Sequence, residues 1–174
     1  LLIYGMGEKP MRELVRRLSA GESIEDCHDM CQIAYLANSR DAIHCVSNKA
    51  IHCVSNEIME LASHEECAKN KKTSAVTFKT IEEESNKLNQ TILVQRVGTN
   101  YVVVTPPYSP MTTEELDAVY ELPFTRQPHP KYKGKTIPAF DMIRWSVNTH
   151  RGCWGGCAFC TISMHQGKFV VSRS

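Results

Sequence analysis

The most informative segment of the sequence is Asn148-Thr149-His150-Arg151-Gly152-Cys153-Trp154-Gly155-Gly156-Cys157-Ala158-Phe159-Cys160. Its cysteines follow a Cys-x3-Cys-x2-Cys spacing, and no further cysteine follows Cys160. Three thiolates this close in sequence can hold three irons of a [4Fe–4S] cube from one loop, which leaves the fourth iron without a protein ligand. The spacing therefore predicts a metal centre with Cys153, Cys157 and Cys160 as its ligands.

The glycines of this segment suit a loop that wraps around a bulky group. Gly152, Gly155 and Gly156 can bend the backbone without a Cβ clash. Amide N–H groups in such a loop can point at cluster sulfurs and tune the potential. A plainer alternative is a zinc site in which a histidine, His150 or His165, completes the three thiolates. The residues alone leave both interpretations open.

The sequence before the cysteines predicts a domain boundary. Residues 122–138 are rich in proline and lysine, which is typical of a connector or an extended surface loop. Apolar and polar residues then alternate from Ile143 to Val147, which predicts a strand leading into the cysteine motif, with Trp145 in the core. We therefore assign residues 1–140 to an accessory region and residues 141–174 to the truncated start of a second domain.

The accessory region is predicted to be α/β. Leu1–Tyr4 is expected to be a buried strand and Gly5–Glu8 a turn, followed by a helix that stops near Gly21. A strand, a glycine turn and a helix form the repeating unit of α/β domains. Further strands are predicted at Ile33–Leu36, Glu57–Leu61, Ile92–Val97 and Tyr101–Thr105, and the last two are expected to form a hairpin. Capping boxes at Ser63–Glu66 and Thr112–Glu115 predict two helices, the first of which runs to about Leu88.

The composition is that of an ordinary globular protein. The 174 residues carry 20 Lys+Arg and 19 Asp+Glu, so the charge balance gives no electrostatic case for nucleic acid or an anionic membrane as the main partner. No apolar run reaches the roughly 18 residues of a membrane span, and no signal-peptide pattern is seen. Eight cysteines without a secretion signal favour metal binding or redox chemistry over disulfides, which makes the cytoplasm the expected compartment.

Two other groups of cysteines are less informative. The segment Ala42–Asn48 recurs, residue for residue, as Ala50–Asn56. Because no repeat architecture uses two copies of so short a unit, a tandem duplication or an assembly artefact explains the repeat better than a metal site at its His-Cys pairs. Cys27 and Cys31 are also spaced Cys-x3-Cys; a fourth ligand from this pair is conceivable, but ordinary buried or surface thiols are favoured.

The cysteine loop resembles the signature of the radical S-adenosylmethionine (SAM) superfamily, including an aromatic residue, Phe159, just before the third cysteine. Other segments extend the likeness to the YgiQ-type radical SAM proteins over nearly the whole chain. These segments are Leu1–Glu8, Val94–Arg96, Tyr120–Phe124, His129–Pro130, Ile137–Ala139, His150–Cys153, His165–Gly167 and Ser172–Ser174.

This resemblance implies a fold and two cofactors. The fold is an α/β fragment of mixed strands and helices that ends in the first strand and cluster loop of a (β/α)-type radical SAM barrel. The cofactors are a [4Fe–4S] cluster and SAM, while no catalytic residue is assigned. The implied metal ligands are Cys153, Cys157 and Cys160, and the further cofactor-binding residues are Gly155, Gly156 and Phe159.

The resemblance also implies a reaction. In this family the reduced cluster donates an electron to SAM, whose C–S bond breaks to give a 5′-deoxyadenosyl radical that abstracts a hydrogen from the substrate. An electron donor and a substrate of unknown identity are the expected partners. Because family members are several hundred residues long, this chain is expected to be a fragment without activity of its own. Its last ~20 residues are expected to be poorly packed or engaged with a neighbouring molecule, because a barrel strand without its partners leaves an unpaired edge.

One alternative comes from a different functional class. The same cysteine loop would also suit a non-enzymatic zinc-binding or interaction module.

Overall fold

The computed structural model describes residues 1–39 and 57–174. Five strands belong to one sheet: β1 (Leu2–Ile3), β2 (Ile33–Ala37), β3 (Ile58–Leu61), β4 (Ile92–Val97) and β5 (Asn100–Val104). Their order is β1-β2-β5-β4-β3, in which β3 and β4 are parallel and the other neighbours are antiparallel. The α/β class predicted from the sequence is confirmed.

The hairpin between β4 and β5 forms for a local reason. Gly98 lies in its turn with a φ of 60°, a left-handed conformation that glycine adopts without a Cβ clash. The two strands then pair from Val97 with Asn100 to Leu93 with Val104. The hairpin predicted at these residues is confirmed.

The described residues form six α-helices, none of them long and apolar enough to cross a membrane. They are α1 (Glu8–Ser19), α2 (His64–Lys69), α3 (Lys71–Ser85), α4 (Thr113–Tyr120), α5 (Pro138–Ile143) and α6 (Ile162–Gln166), with 3-10 turns at Glu25–Asp29 and Pro130–Tyr132. Both predicted capping boxes are present, one made by Ser63 and Glu66 before α2 and one by Thr112 and Glu115 before α4. In each box the cap hydroxyl accepts from a helical N–H while the glutamate accepts from the cap N–H.

The single helix predicted from Ser63 to about Leu88 is wrong, because Asn70 divides it. Asn70 has an extended backbone, with φ −130° and ψ 107°, and its side-chain oxygen accepts from the N–H of Lys72 at 2.9 Å. A short amide side chain competes with the helical hydrogen bonds of its own backbone and favours a cap. Two helices therefore form, and the second ends at Ser85.

The main core lies on one face of the sheet. Side chains of a strand alternate between two faces, so alternate residues of β2 and β4 are buried together. The 3-10 turn after α1 covers them with thiol and thioether groups. The core residues are Cys27, Met30, Cys31, Ile33, Tyr35, Ala37, Ile92, Val94 and Val103. Both cysteines thus lie in the core, but only Cys27 is the buried thiol that the favoured interpretation predicted, because Cys31 is disulfide-bonded.

Strand β1 is less buried than expected. It lies at an edge of the sheet and pairs with β2 alone among the described strands. Leu2 is 60% exposed, so the prediction of a buried strand at Leu1–Tyr4 is wrong. Tyr4 follows β1, and its hydroxyl donates to the carbonyl of Thr105 at 2.5 Å.

The strand predicted at Ile143–Val147 is also wrong. Pro138 begins α5, because its fixed φ suits the first turn of a helix, and the helix runs to Ile143. Trp145 is 82% exposed rather than part of the core. The strand before the cysteines instead is β6 (His150–Arg151), which pairs antiparallel with β7 (Val171–Ser172).

A second, smaller core joins the end of the chain to α4. Val171 of β7 packs with Met111 and Leu116, with Met6 at the margin. The expectation that the last residues are poorly packed is therefore wrong for β7, although the preceding loop is open. The duplicated segment at 42–56 lies outside the described residues.

Candidate functional site

The cysteine loop connects β6 to β7 and is closed at its base. The N–H of Cys153 donates to the carbonyl of Gly167 at 3.1 Å. Gly152, with a φ of 88°, lies directly against the opposite side of the ribbon, and a Cβ there would lie 2.1 Å from the carbonyl oxygen of Phe169. The close approach of these two segments therefore requires glycine at position 152.

The three cysteines of the loop are free thiols. Gly155 lies between two of them, since a Cβ on it would be 3.4 Å from the sulfur of Cys153 and 3.7 Å from that of Cys157. Cys160 follows in a turn, with its N–H donating to the carbonyl of Cys157 at 3.0 Å. Cys157 is exposed and the other two thiols are half-buried, so the loop presents accessible sulfur donors.

The other predicted site residues are not assembled with the thiols. Within residues 1–39 and 57–174, no three His, Cys, Asp or Glu side chains are placed as a ready set of metal ligands. His150 lies with Nδ1 3.0 Å from the hydroxyl of Thr149, and His165 is exposed on α6. Phe159 is 92% exposed. The three thiols therefore lie in one segment, but their sulfur atoms do not point toward a common centre, and neither His150 nor His165 lies with them as a further ligand.

Three side chains from the ribbon and its approach converge on Tyr120, the last residue of α4. Asn148 and Arg151 donate to the Tyr120 hydroxyl at 2.8 and 3.2 Å. The guanidinium groups of Arg151 and Arg173 lie 5.3 and 4.5 Å from the centre of its ring. Such cation–π contacts, together with the hydrogen bonds, fix the ribbon against α4.

Carboxylates complete this arrangement. Arg151 is paired with Glu8 at the start of α1, and Nε of Arg173 donates to Asp117 at 3.2 Å. Burial lowers the pKa of Arg151, but the hydrogen bonds to Glu8 and Tyr120 outweigh it and raise the pKa above its ordinary value. Burial raises the pKa of Tyr120, but the donors Asn148 and Arg151 and the two arginine charges outweigh it and lower that pKa.

A further ion pair holds the far side of the loop. The ammonium of Lys168, whose side chain is 15% exposed, donates to Glu82 at 2.6 Å and to the hydroxyl of Ser85 at 2.7 Å. Both partners lie on α3. The cysteine loop is thus anchored at its two ends to different helices, α1 and α4 at one end and α3 at the other.

The roles of these anchoring residues are not visible in the sequence. Tyr120, Arg151 and Arg173 stood in segments that carried the family resemblance, but nothing in the pattern showed that they meet. Glu8 also lay in such a segment, whereas Lys168 gave no local pattern at all. Their contacts join residues up to 143 positions apart, which periodicity and spacing do not report.

Comparison with known families decides the membership of the chain. The family model described as radical SAM N-terminal matches residues 1–146. The chain belongs to the radical SAM N-terminal family. The resemblance to YgiQ-type radical SAM proteins is thereby confirmed, although the matched residues end before the cysteine loop.

Relatives of the radical SAM N-terminal chain align along its whole length. A UPF0313 protein of Bacteroides thetaiotaomicron is 52% identical, and one of Porphyromonas gingivalis is 48% identical. A UPF0313 protein of Methanocella arvoryzae is 40% identical. Each alignment includes the whole of this chain but only 28%, 26% and 27% of the length of the three relatives. The chain thus spans roughly a quarter of the proteins that it matches. No solved structure matches the chain.

The donor set of this radical SAM chain fits an iron–sulfur cluster better than a hard cation. Thiolates are the usual ligands of such clusters, and three free thiols occupy one short loop. Gly155 leaves open the space between two of the sulfurs that a Cβ would enter. The cysteines would have to turn their sulfurs toward a common centre, which the exposed, glycine-rich segment 154–157 permits.

Proposed function

We propose that the protein containing this chain is a radical SAM enzyme that binds a [4Fe–4S] cluster through Cys153, Cys157 and Cys160 and reductively cleaves SAM. The observation that carries the proposal is a loop with three free thiols, closed at its base, in a chain of the radical SAM N-terminal family. Gly155, Gly156 and Phe159 are proposed to contact the cofactors.

When bound, the cluster supplies the electron that breaks the C–S bond of SAM and yields the 5′-deoxyadenosyl radical. The residues of this chain would have separate tasks. The three thiolates would hold the metal, and Gly155 lies beside the sulfurs of Cys153 and Cys157. Arg151 and Lys168 fix the two ends of the loop to α1, α4 and α3. An unknown electron donor and substrate complete the reaction.

The division of the chain is part of this proposal. We propose that residues 1–140 serve as an accessory region and that residues 141–174 begin the radical SAM barrel. The chain by itself is expected to be inactive, because its relatives are more than three times as long and a SAM site needs further walls. The proposed compartment is the cytoplasm, where the free thiols at Cys153, Cys157 and Cys160 would stay reduced.

The test is the metal content of the longer protein after reconstitution without oxygen. We expect about four irons per chain and an EPR signal of the reduced cluster that shifts when SAM is added. Replacing any one loop cysteine by serine, for instance Cys157→Ser, should abolish the signal. The matched control is Cys67→Ser, because Cys67 is a partly buried thiol whose sulfur lies 3.5 Å from Thr77 on α3.

The identity of the bound metal distinguishes the enzyme from the alternative, a non-enzymatic zinc-binding module. One zinc per chain and no iron would contradict the proposal and favour a zinc-binding or interaction module. Loss of iron in Cys67→Ser as well as Cys157→Ser would show that the loop cysteines are not specific ligands.

A further inference from the structure

A cavity of about 220 Å³ lies between the turn after β1, the end of α3 and the part of the cysteine loop that follows Cys160. It is concave and mainly apolar, which is the usual character of a small-molecule site. Its apolar wall is formed by Tyr4, Met6, Leu88, Tyr108, Met164 and Phe169.

One wall of the cavity is held in a fixed conformation. Gln32 is 5% exposed and has a φ of 61°, a left-handed conformation that residues other than glycine rarely adopt. Its side-chain amide donates to the carbonyls of Tyr4 and Met6 at 2.6 and 2.5 Å and accepts from the N–H of Tyr108 at 3.4 Å. Backbone strain of this kind is often found at functional sites. The hydrogen bonds of the Gln32 side chain hold Tyr4, Met6 and Tyr108, which line the cavity.

The charges that line the cavity are neutralised. Lys87 is paired with Glu84 on α3, and Lys168 is paired with Glu82. A charged ligand would therefore lose its hydration without gaining a free counter-ion at these two lysines. Gln90, Ser163 and Gln166 also line the cavity and offer neutral hydrogen-bonding groups. The lining thus favours an uncharged molecule.

The cavity borders the cysteine loop. Glu82, Lys168 and Phe169 line it and also line a second cleft, which is bounded on its other side by Cys153 and Trp154. The ion pair between Lys168 and Glu82 therefore stands between the cavity and the first cysteine. A molecule held in the cavity would lie next to the proposed cluster site.

We propose that this cavity binds an uncharged, mainly apolar small molecule and serves as the substrate pocket of the enzyme. The role as a substrate pocket rests on the proposed function, whereas the binding itself does not. The chemical class follows from the apolar wall and the paired lysines.

The test uses the uncharged fluorescent probe N-phenyl-1-naphthylamine and the longer protein, both without metal and after reconstitution. Ile81 lines the cavity and is 36% exposed, while Phe78, on the same helix, is 59% exposed and does not line it. Ile81→Glu should lower the affinity for the probe about tenfold, because it places a carboxylate against an apolar ligand. Phe78→Glu should leave the affinity for the probe unchanged. Circular dichroism melting curves check that both variants fold.

The outcomes separate this inference from the proposed function. Equal affinities in the two variants, or no probe binding to the longer protein because its other residues fill the cavity, would overturn the binding site. Selective weakening in Ile81→Glu without any SAM cleavage would retain the binding site and reject the enzyme. In an active enzyme the probe should change the rate of SAM cleavage in the parent protein but not in Ile81→Glu; an unchanged rate in both would reject the substrate role.

Discussion

Gln32 shows how one residue can join several parts of the chain. It stands just before β2, its N–H donates to the carbonyl of Pro106 at 2.7 Å, and its amide reaches the turn after β1. A left-handed conformation costs a non-glycine residue roughly 1–2 kcal/mol. The side-chain amide compensates for this cost by donating hydrogen bonds to the carbonyls of Tyr4 and Met6.

A pair of substitutions separates these two effects. Gln32→Ala should destabilise the fold by about 3 kcal/mol, because it removes the amide donors and keeps the strained backbone. Gln32→Gly removes the same donors but relieves the strain, so it should be about 1 kcal/mol less destabilising than Gln32→Ala. Urea unfolding of the two variants measures the difference. Equal stabilities would show that φ at this position is not strained.

The ribbon of β6 and β7 is the element that presents the cysteines. Each strand has two residues, so backbone pairing alone gives little stability. It is held in place by the contacts of Arg151 and Arg173 with the Tyr120 ring and by Val171 in the second core. The loop can thus remain open while its base is fixed.

Gly152 of this element is expected to matter more than a glycine outside it. Gly152→Ala would place a Cβ 2.1 Å from the Phe169 carbonyl oxygen, and the ribbon would have to separate. We expect a loss of about 3 kcal/mol in unfolding free energy and a loss of iron after reconstitution. By comparison, Gly134→Ala in the segment before the ribbon, at a φ of 78° with open space around it, should cost about 1 kcal/mol and keep most of the iron.

Iron content of the two alanine variants, measured after the same anaerobic reconstitution, gives the comparison. Equal iron in both would mean that the ribbon does not need the close contact at Gly152.

At the scale of the whole molecule, ion pairs connect segments that are distant in sequence. Glu8 and Arg151 are 143 residues apart, and Glu82 and Lys168 are 86 apart. Near the start of the chain, the side chain of Arg17 is only 10% exposed and pairs with Glu13 at 2.8 Å and with Asp29 at 2.6 Å, which ties α1 to the following 3-10 turn. Because Glu13 must be ionised to pair with Arg17, the stability of the molecule is expected to fall at acid pH.

Glu13 gives a test of that dependence. Hydrogen bonds from Arg16 and Arg17 lower the pKa of Glu13 to about 2, below the roughly 4.3 of an unfolded glutamate. The folded state therefore binds fewer protons between these values, so the contribution of Glu13 is present above about pH 4.3 and is lost as pH falls through about 2.

We expect Glu13→Gln to be less stable than the parent at neutral pH and the difference to shrink as the pH falls from about 5 to about 2. Urea unfolding of the metal-free chain across this range measures it. Glu83→Gln is the control, since Glu83 is exposed on α3 and its nearest lysine is 3.6 Å away. A constant difference across the range would contradict the lowered pKa.

The sequence by itself determined the features that depend on neighbouring residues. The capping boxes at Ser63 and Thr112 and the glycine turn at Gly98 were readable because their hydrogen bonds and φ angles involve residues within a few positions. The spacing of the cysteines was equally local, so the loop could be named as the candidate site. Its role as a metal centre stays a prediction.

Only the tertiary structure decided where segments meet. The period-two pattern at Ile143–Val147 suggested a strand, but Pro138 started a helix and left Trp145 exposed. The anchoring of the loop by Tyr120 and the cavity beside Lys168 depend on contacts between residues that chain spacing does not relate. Burial and pairing are properties of the folded arrangement, because a side chain's environment is set by whichever distant segment packs against it.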